Sequence, residues 1–179
     1  MSDRNLDLAQ KIIDLAVSLG ADSADAVVGE SASLNVSCRL GQLEDTERSE
    51  SRELGLRAII GQQQAFVSGT AVDAEALQRL AERAVEMAKA TPADRYCGLA
   101  PAERLASKLP SLDLADDHEP SAAELQTMAL ETEDTARTMA GITNSEGAGA
   151  AWGRGTTALV TSHGFAGSYS STSFSLSCS

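Results

Sequence analysis

Strict alternation of apolar and polar side chains is the feature that most constrains what this chain can fold into. The alternation runs through residues 34–40 and again through 54–60, and Phe174, Leu176 and Cys178 repeat it near the end of the sequence. A period of two places successive side chains on opposite faces of a β-strand, so each stretch predicts a strand with one buried face and one solvated face. Such strands are typical of antiparallel sheets, because parallel strands are usually buried on both faces.

A hairpin and a polar edge strand follow from the spacing around the second alternation. That alternation ends at Gly61-Gln62-Gln63-Gln64, and the run 65–68 follows closely, which is hairpin spacing. Residues 44–50 are mostly charged and predict a polar edge strand. The Ser- and Thr-rich tail, which begins at Gly167, has the composition of a flexible linker, but its alternation of apolar and polar residues favours a strand.

Three segments show helical spacing of their apolar residues instead. The first runs from Leu6 to Leu19, with Ser2 and Asp3 as possible caps and Gly20 as a stop. These signals predict an amphipathic helix at the start of the chain.

The second and third helices are predicted from their caps as well as their spacing. Asp73 is a suitable N-cap for a helix over residues 76–88, and Ser121 with Glu124 forms a capping-box pattern before the third helix. The side chains expected to face inward from the third helix are Leu125, Met128, Ala129, Thr132 and Ala136.

The region between these two helices separates the parts of the fold. Residues 91–120 contain all four prolines of the chain and little periodicity, which predicts a long irregular crossover. We therefore predict an α+β fold, a mostly antiparallel or mixed sheet with about three helices packed on it, as the N-terminal domain of a two-domain protein. Residues 1–140 are expected to form an N-terminal α/β domain. Residues 141–179 are expected to form a glycine- and serine-rich β segment that leads into a C-terminal domain, because the last strand reaches the terminus without a turn.

Composition excludes several classes of function. The 179 residues suffice for a core, and 14 Lys and Arg against 26 Asp and Glu give a formal net charge of −12, which disfavours a nucleic-acid partner. The sequence has no apolar run long enough to span a membrane and no signal-peptide layout, so we expect no membrane partner and a cytoplasmic location. Cys38, Cys97 and Cys178 are too few and too far apart for a disulfide framework or a zinc knuckle, and free thiols fit best.

Two histidines are the first candidates for chemistry. His118 lies in Asp116-Asp117-His118-Glu119, a cluster of hard-metal ligand types, but acidic residues before a helix also favour the helix dipole, which is the simpler explanation. His163 follows an apolar strand and precedes a glycine, so a turn histidine is more plausible than a catalytic one, which would need a nucleophile and an orienting carboxylate nearby.

Glycines and carboxylates form the other candidate patterns. The glycines between Gly147 and Gly155 resemble a phosphate loop, but no helix follows them, so a glycine-rich hairpin is favoured. An acid/base set is conceivable for five carboxylates, yet a solvated edge strand explains them plainly. They are Glu44, Asp45, Glu47, Glu50 and Glu53. The sequence has no H-E-x-x-H, G-x-S-x-G or P-loop, so we assign no catalytic, cofactor-binding or metal-binding residue.

Two late segments carry a family resemblance. Ile-Thr-Asn-Ser-Glu-Gly-Ala at 142–148 and Leu-Val-Thr-Ser-His-Gly-Phe-Ala-Gly-Ser-Tyr-Ser-Ser-Thr at 159–172 resemble the matching stretches of the TldD/PmbA family, in its PmbA/TldE branch. Upstream, Cys-Arg-Leu-Gly-Gln-Leu-Glu at 38–44 and Leu-Gly-Leu-Arg at 54–57 agree with the same family layout. The resemblance extends over essentially the whole chain.

The resemblance implies a function that the residues alone do not. Members of this family, also described as modulators of DNA gyrase, pair a TldD-like and a PmbA-like subunit into a heterodimeric zinc metalloprotease that cleaves unfolded peptides. The family's H-E-x-x-x-H motif has no counterpart in this chain, so the resemblance implies a non-catalytic partner, with zinc in the TldD-like subunit. It also implies a longer protein with a second, mostly β domain.

Two alternatives to the protease subunit stay open, and one binding mode belongs to the protease subunit itself. The chain could be a regulatory or adaptor domain that binds a protein without proteolysis, or a metal enzyme that uses His118 and its acidic neighbours. A strand edge near residues 44–50, or in the Ser- and Thr-rich tail, is where an extended peptide could pair by strand addition.

Overall fold

A computed structural model describes the backbone of residues 2–179 and the side chains from Arg4 onward. The elements are α1 (Ser2–Ser18), β1 (Ser23–Arg39), β2 (Gln42–Ile60), β3 (Gln63–Gly69), α2 (Ala74–Ala90), α3 (Ala122–Arg137), β4 (Ala148–Thr161) and β5 (Ala166–Cys178). The possible caps Ser2 and Asp3 lie outside the residues whose side chains are described. No helix within residues 2–179 is both long and apolar enough to cross a membrane.

The five strands form one sheet in the order β3-β2-β1-β4-β5. β2 and β3 pair antiparallel over residues 54–60 and 63–69. β1 and β4 also run in opposite directions, because the amide of Ser162, just after β4, donates to the carbonyl oxygen of Ala24 near the start of β1 at 2.8 Å. The predicted α+β class, with an antiparallel sheet and three helices, is confirmed.

Contacts divide the chain into two compact units, and each unit has its own core. The first unit comprises the chain up to Glu30, Arg52–Leu112 and Thr156–Tyr169. Its helices α1 and α2 contact each other, and α2 also contacts β3. Small residues on the helices allow close packing against the strands. The helical members of this core are Ala9, Ile12, Ile13, Ala16, Leu77, Ala81, Ala84 and Val85.

The second unit is built around α3 and one tryptophan. It comprises Ser31–Ser51, Asp113–Gly155 and Ser170–Ser179. Leu125 and Ala129 of α3 pack with Trp152. The strand residues of this core are Leu34, Val36, Cys38, Ala148 and Ala150. The boundary expected between residues 140 and 141 stays a prediction.

The caps place the second and third helices as expected. The Asp73 carboxylate accepts from the amide of Ala76 at 2.9 Å. Ser121 and Glu124 form a complete capping box, since the Glu124 amide donates to the Ser121 hydroxyl and the Ser121 amide donates to the Glu124 carboxylate. Hydrogen bonds from the Ser121 amide and hydroxyl lower the pKa of the Glu124 carboxyl.

Two predictions about the strands are wrong in detail. Residues 44–50 are not a separate strand but the first half of β2, which continues to Ile60. Leu40 does not face the core, because it lies in the turn after β1 with a φ of +50° and is half exposed. The alternation therefore ends at Cys38, one repeat earlier than the sequence indicates.

The inner face of α3 also differs from the prediction. Leu125 and Ala129 are buried as expected, but Met128 is exposed and Thr132 and Ala136 are only half-buried. The third fully buried position is Glu133. A polar contact described below explains why an acid occupies this position.

Gly147, just before β4, lies close to the backbone at the end of β1. It has a φ of +117°, and a Cβ placed on it would lie 2.9 Å from the Cys38 carbonyl oxygen. We expect Gly147→Ala to lower the free energy of unfolding by about 2 kcal/mol, because the backbone conformation and the close contact both oppose a side chain. Urea denaturation followed by circular dichroism measures the change.

Gly164→Ala is the matched control for this variant. Gly164 also has a positive φ, +95°, but nothing lies within 4 Å of a Cβ placed on it. It therefore measures the backbone effect without the steric one. If both variants lose the same stability, the contact with Cys38 is not a constraint.

Candidate functional site

His118 and its acidic neighbours do not converge. The His118 Nε2 atom lies 3.6 Å from Glu124 Oε1, and both side chains are exposed. The Asp116 carboxylate accepts from the His118 amide at 2.8 Å, and Glu119 pairs with Arg48 at 2.8 Å. Each carboxylate is thus engaged in a different local contact. The Glu124 carboxylate is the one that caps α3.

His163 lies alone at the turn between β4 and β5. Its Nδ1 atom is 3.2 Å from the carbonyl oxygen of Ala100, and its side chain is exposed. Among the side chains that the structure describes, those of residues 4–179, no group of three or more His, Cys, Asp or Glu is placed to hold a metal ion. The donor set of the described residues therefore does not fit a zinc site.

The glycine-rich run forms neither a phosphate loop nor the hairpin that the sequence favours. Gly149, Gly153 and Gly155 lie inside the single long strand β4. A Cβ on Gly153 would lie 3.3 Å from the Ser173 hydroxyl of β5, which is tighter than most real contacts. The hairpin instead forms later, where the amide of Thr161 donates to the carbonyl oxygen of Phe165 at 2.9 Å.

The three cysteines are free thiols, and the burial of Cys38 makes it a core residue. Cys38 is fully buried, whereas Cys97 and Cys178 are half-buried. Burial, and after it the carboxylates of Glu133 and Glu44, raises the pKa of the Cys38 thiol. A thiol that is harder to ionise is a poor nucleophile, so Cys38 acts as a core residue.

The first half of β2 is an exposed acidic edge in the second unit. All ten residues of 42–51 are exposed, and β3 pairs only with residues 54–60 of β2. Arg48 forms ion pairs with Glu50 and with Glu119, each at 2.8 Å. Exposed pairs of this kind add little stability, but charges along an edge oppose unwanted pairing with other strands.

Glu133 holds the turn that leads into this acidic edge. Its carboxylate accepts from the amides of Leu40 and Gly41 at 2.8 and 2.9 Å. The Ser145 side chain first, and then these two amides, lower the pKa of the Glu133 carboxyl. One buried carboxylate thereby ties α3 to the turn between β1 and β2 and to the segment before β4.

Sequence reasoning missed Glu133 although its position carried a signal. The residue lies four positions after Ala129, which itself lies four after Leu125, so it continues the buried stripe of α3. An acid on that stripe requires a buried donor, and a strained turn supplies two. Leu40 at a φ of +50° is unfavourable for a branched side chain, and the carboxylate offsets part of that strain.

The strand β5 forms the other edge of the sheet. It is last in the strand order, and Phe174 and Leu176 are 50% and 53% exposed. Cys178 on the same strand packs against the second core. The final residue is held in place, because Ser179 donates to Gly147 at 3.0 Å and accepts from Glu146 at 2.7 Å. The Ser- and Thr-rich tail is therefore a strand, as its alternation indicates.

Two sequence profiles of one family match this chain. The profile described as PmbA/TldA metallopeptidase domain 1 covers residues 24–88. The profile described as PmbA/TldA metallopeptidase central domain covers residues 115–179. Together they account for more than half of the sequence.

Curated relatives agree with the profiles. The chain is 33% identical over 168 residues to the Metalloprotease PmbA homolog of Haemophilus influenzae, which covers 93% of this chain and 37% of that protein. It is 31% identical over 176 residues to Metalloprotease PmbA of Escherichia coli O157:H7, which covers 94% of this chain and 39% of that protein. The chain thus spans less than half the length of both relatives.

Solved structures share the fold. A candidate modulator of DNA gyrase from Bacteroides thetaiotaomicron superposes with a TM-score of 0.84 at 20% identity, over 97% of this chain and 40% of that one. TldE from Thermococcus kodakarensis superposes with a TM-score of 0.79 at 16% identity, over 92% of this chain and 37% of that one. At these identities the superpositions concern the fold alone.

Glu133→Gln tests the contact between α3 and the turn. The variant keeps the size of the side chain but removes the charge that two amides and Ser145 stabilise. We expect a lower melting temperature at neutral pH. Because the pKa of Glu133 is lowered by folding, its stabilisation is present above the ordinary value of 4.5 and is lost as the pH falls through the lower folded value. The difference between variant and wild type should therefore vanish in acid.

Glu131→Gln controls for the loss of one charge on the same helix. Glu131 is exposed on α3. Melting curves of both variants between neutral and acidic pH separate the two effects. A Glu133→Gln melting temperature that differs from wild type equally at every pH would contradict the role of the ionised carboxylate.

Proposed function

The chain belongs to the PmbA/TldD family, and we propose on this premise that it is part of a PmbA/TldE-like subunit of a heterodimeric zinc metalloprotease. The observation that carries the proposal is the 33% and 31% identity to proteins named metalloprotease PmbA over more than nine-tenths of this chain. The names of these two relatives, both PmbA, support the choice of branch. Because this chain spans 37–39% of those relatives, the activity belongs to a longer assembly.

The proposed role is that of the non-catalytic partner. A zinc peptidase needs about three protein ligands that converge on one ion and leave a position for water. The described residues offer no such group, and the two histidines occupy separate units. We propose that a TldD-like subunit supplies the zinc and the catalytic groups, and that this chain contributes scaffold and peptide-binding surface.

Unfolded peptides are the proposed substrates, because the open edges of the sheet can pair with an extended chain. An unfolded chain presents unpaired amides and carbonyls, and an open sheet edge can pair with them whatever the side chains are. The second unit offers two such edges, along the first half of β2 and along β5. A scaffold of this kind would hold the peptide while the partner cleaves it.

The proposed setting is the cytoplasm, without direct contact to nucleic acid. The net charge of −12 opposes binding to phosphates. Three of the arginines, Arg48, Arg52 and Arg57, form ion pairs with carboxylates of the same chain and are less available to bind phosphates. A link to DNA gyrase, if one exists, would then act through a protein.

An adaptor domain without proteolysis is the second candidate. The observation that favours it is the exposed, mostly acidic strand segment 42–51, which has the character of a docking surface. In this case the chain would bind a protein and leave it intact.

Co-purification tests the first candidate. The complete gene product that carries this chain is co-expressed with a TldD-like subunit and assayed on an unfolded peptide. We expect a stable complex that contains zinc and cleaves the peptide, and we expect a chelator to abolish cleavage without dissolving the complex. Added zinc should restore activity.

The control replaces a histidine of the H-E-x-x-x-H motif in the TldD-like subunit. This variant should still form the complex but lose cleavage, which places the chemistry in the partner. A pair that fails to co-purify, or that shows no metal-dependent cleavage, contradicts the proposal. A protein retained by the chain with no loss of mass over time would instead support the adaptor.

A further inference from the structure

The irregular crossover between α2 and α3 runs along β5. In the first unit, the Ala100 carbonyl oxygen lies 3.2 Å from His163 at the turn before β5, and Leu109 packs over Gly167. In the second unit, the carbonyl oxygen of Leu114 accepts from the amide of Thr172 at 2.9 Å. The crossover and β5 advance in the same direction through these contacts.

The last of these contacts resembles a parallel strand pair in one backbone hydrogen bond only. In a parallel ladder the amide of a residue donates to the carbonyl of the residue that precedes its partner on the neighbouring strand. Its own carbonyl accepts from the amide of the residue that follows that partner. Thr172 donates to the Leu114 carbonyl oxygen and, through its hydroxyl, accepts from the amide of Asp116 at 2.9 Å. The outer edge of β5 therefore already accepts an extended segment of this chain for one rung.

The crossover leaves β5 immediately after that rung. The Asp116 carboxylate accepts from the amide of His118, and the chain then passes Pro120 and enters α3. Residues 173–177 of β5 are all exposed. The cover over the edge thus ends at Thr172.

The backbone of Phe174 and Leu176 points outward from the sheet. In an antiparallel pair the amides and carbonyls of alternate residues face the partner strand. The amide of Ser179 donates to Gly147, so the odd-numbered residues at this end of β5 face β4. Thr172 faces outward, and Phe174 and Leu176 share its parity.

The two edges of the second unit differ in how they are protected. Native edges are usually blunted by charged side chains, proline or a covering segment. The first half of β2 carries charges, whereas no Asp, Glu, Lys or Arg follows Arg154 in the sequence. Beyond Thr172 the outer edge of β5 therefore carries no charged side chain and lies past the end of the crossover, and Phe174 and Leu176 are half exposed there.

We propose that β5 from Ser173 to Cys178 binds an unfolded peptide as an added strand, with apolar side chains of the peptide at alternate positions beside Phe174 and Leu176. The identity of the occupant rests on the proposed function, whereas the site rests on the edge itself. The crossover sets one end of the site, because a peptide strand cannot extend past the rung that Leu114 occupies. Selectivity comes from the apolar face, since the opposite face of this strand carries only serines.

Leu176→Pro tests the site directly. Proline removes the outward amide without removing a bond to β4, and edge strands tolerate it. The probe is a short fluorescein-labelled peptide in which valine alternates with threonine, added to the complete gene product that carries this chain, with chelator and without any TldD-like subunit. We expect Leu176→Pro to weaken binding about tenfold or more, as measured by fluorescence anisotropy, because the ladder is interrupted at its centre. Leu176→Val keeps both the amide and an apolar side chain and should bind as wild type does.

Hydrogen exchange locates the peptide and keeps the test valid if Leu176→Pro fails to fold. We expect the peptide to slow exchange at the amides of Phe174 and Leu176, while the Ser175 amide, which faces β4, serves as an internal reference. Unchanged exchange at both outward amides would overturn the proposal, as would wild-type affinity in Leu176→Pro. Protection that appears without peptide and disappears on dilution would assign the edge to a second copy of the chain instead.

These outcomes are independent of the proposed protease. Peptide binding to the isolated chain can fail while the complex still cleaves with zinc, which would overturn only the site. Binding can also persist when no protease activity is found, which would leave the edge as a peptide-binding surface of an adaptor.

Discussion

The pairing of β1 with β4 is the constraint on which the rest of the structure depends. Ala24 and Ser162 exchange two hydrogen bonds, of 2.8 and 3.0 Å, although 138 positions separate them. β1 is hydrogen-bonded to β2 on one side and β4 on the other, and it supplies side chains to both cores. Two helices and the crossover lie in the loop that this pairing closes. Closing so long a loop costs conformational entropy, which the two apolar cores offset.

Local signals were sufficient for the elements that depend on local physics. Alternation identified the strands because it reflects one buried and one solvated face, and those faces exist for β1 and for the second half of β2. Asp73 and Ser121 located two helix starts because a cap satisfies amides within three residues of itself. The long segment 91–120 was equally visible, since proline disfavours helix interiors and central strands, and its one regular element is the short 3₁₀-helix Ala102–Arg104 after Pro101.

Errors occurred where a distant partner decides the outcome. Leu40 continues the apolar alternation, yet it lies in the turn after β1, where its amide donates to the carboxylate of Glu133, 93 positions away. The glycines of β4 look like loop residues, but they lie inside a strand, and a Cβ on Gly153 would come within 3.3 Å of the Ser173 hydroxyl of the neighbouring strand. Of the candidate site residues, His118 and His163 were visible in the sequence, and the structure gives each a local contact in its own unit. What no local pattern contains is the path of the crossover along β5.

The second unit has two strand edges, the first half of β2 and the end of β5, and different interactions protect them. Charged side chains protect the first half of β2, because they would lose hydration if another strand approached. Backbone pairing protects the outer edge of β5 only as far as Thr172, whose amide donates to the carbonyl oxygen of Leu114. A uniform protection would have required charges on β5 or a longer crossover, and the chain has neither. This gap leaves an uncharged stretch of the outer edge of β5 beside the half-exposed side chains of Phe174 and Leu176. Within the second unit the two edges therefore differ in what they allow, because charges oppose the approach of another strand at β2 and no charged side chain does so at this end of β5.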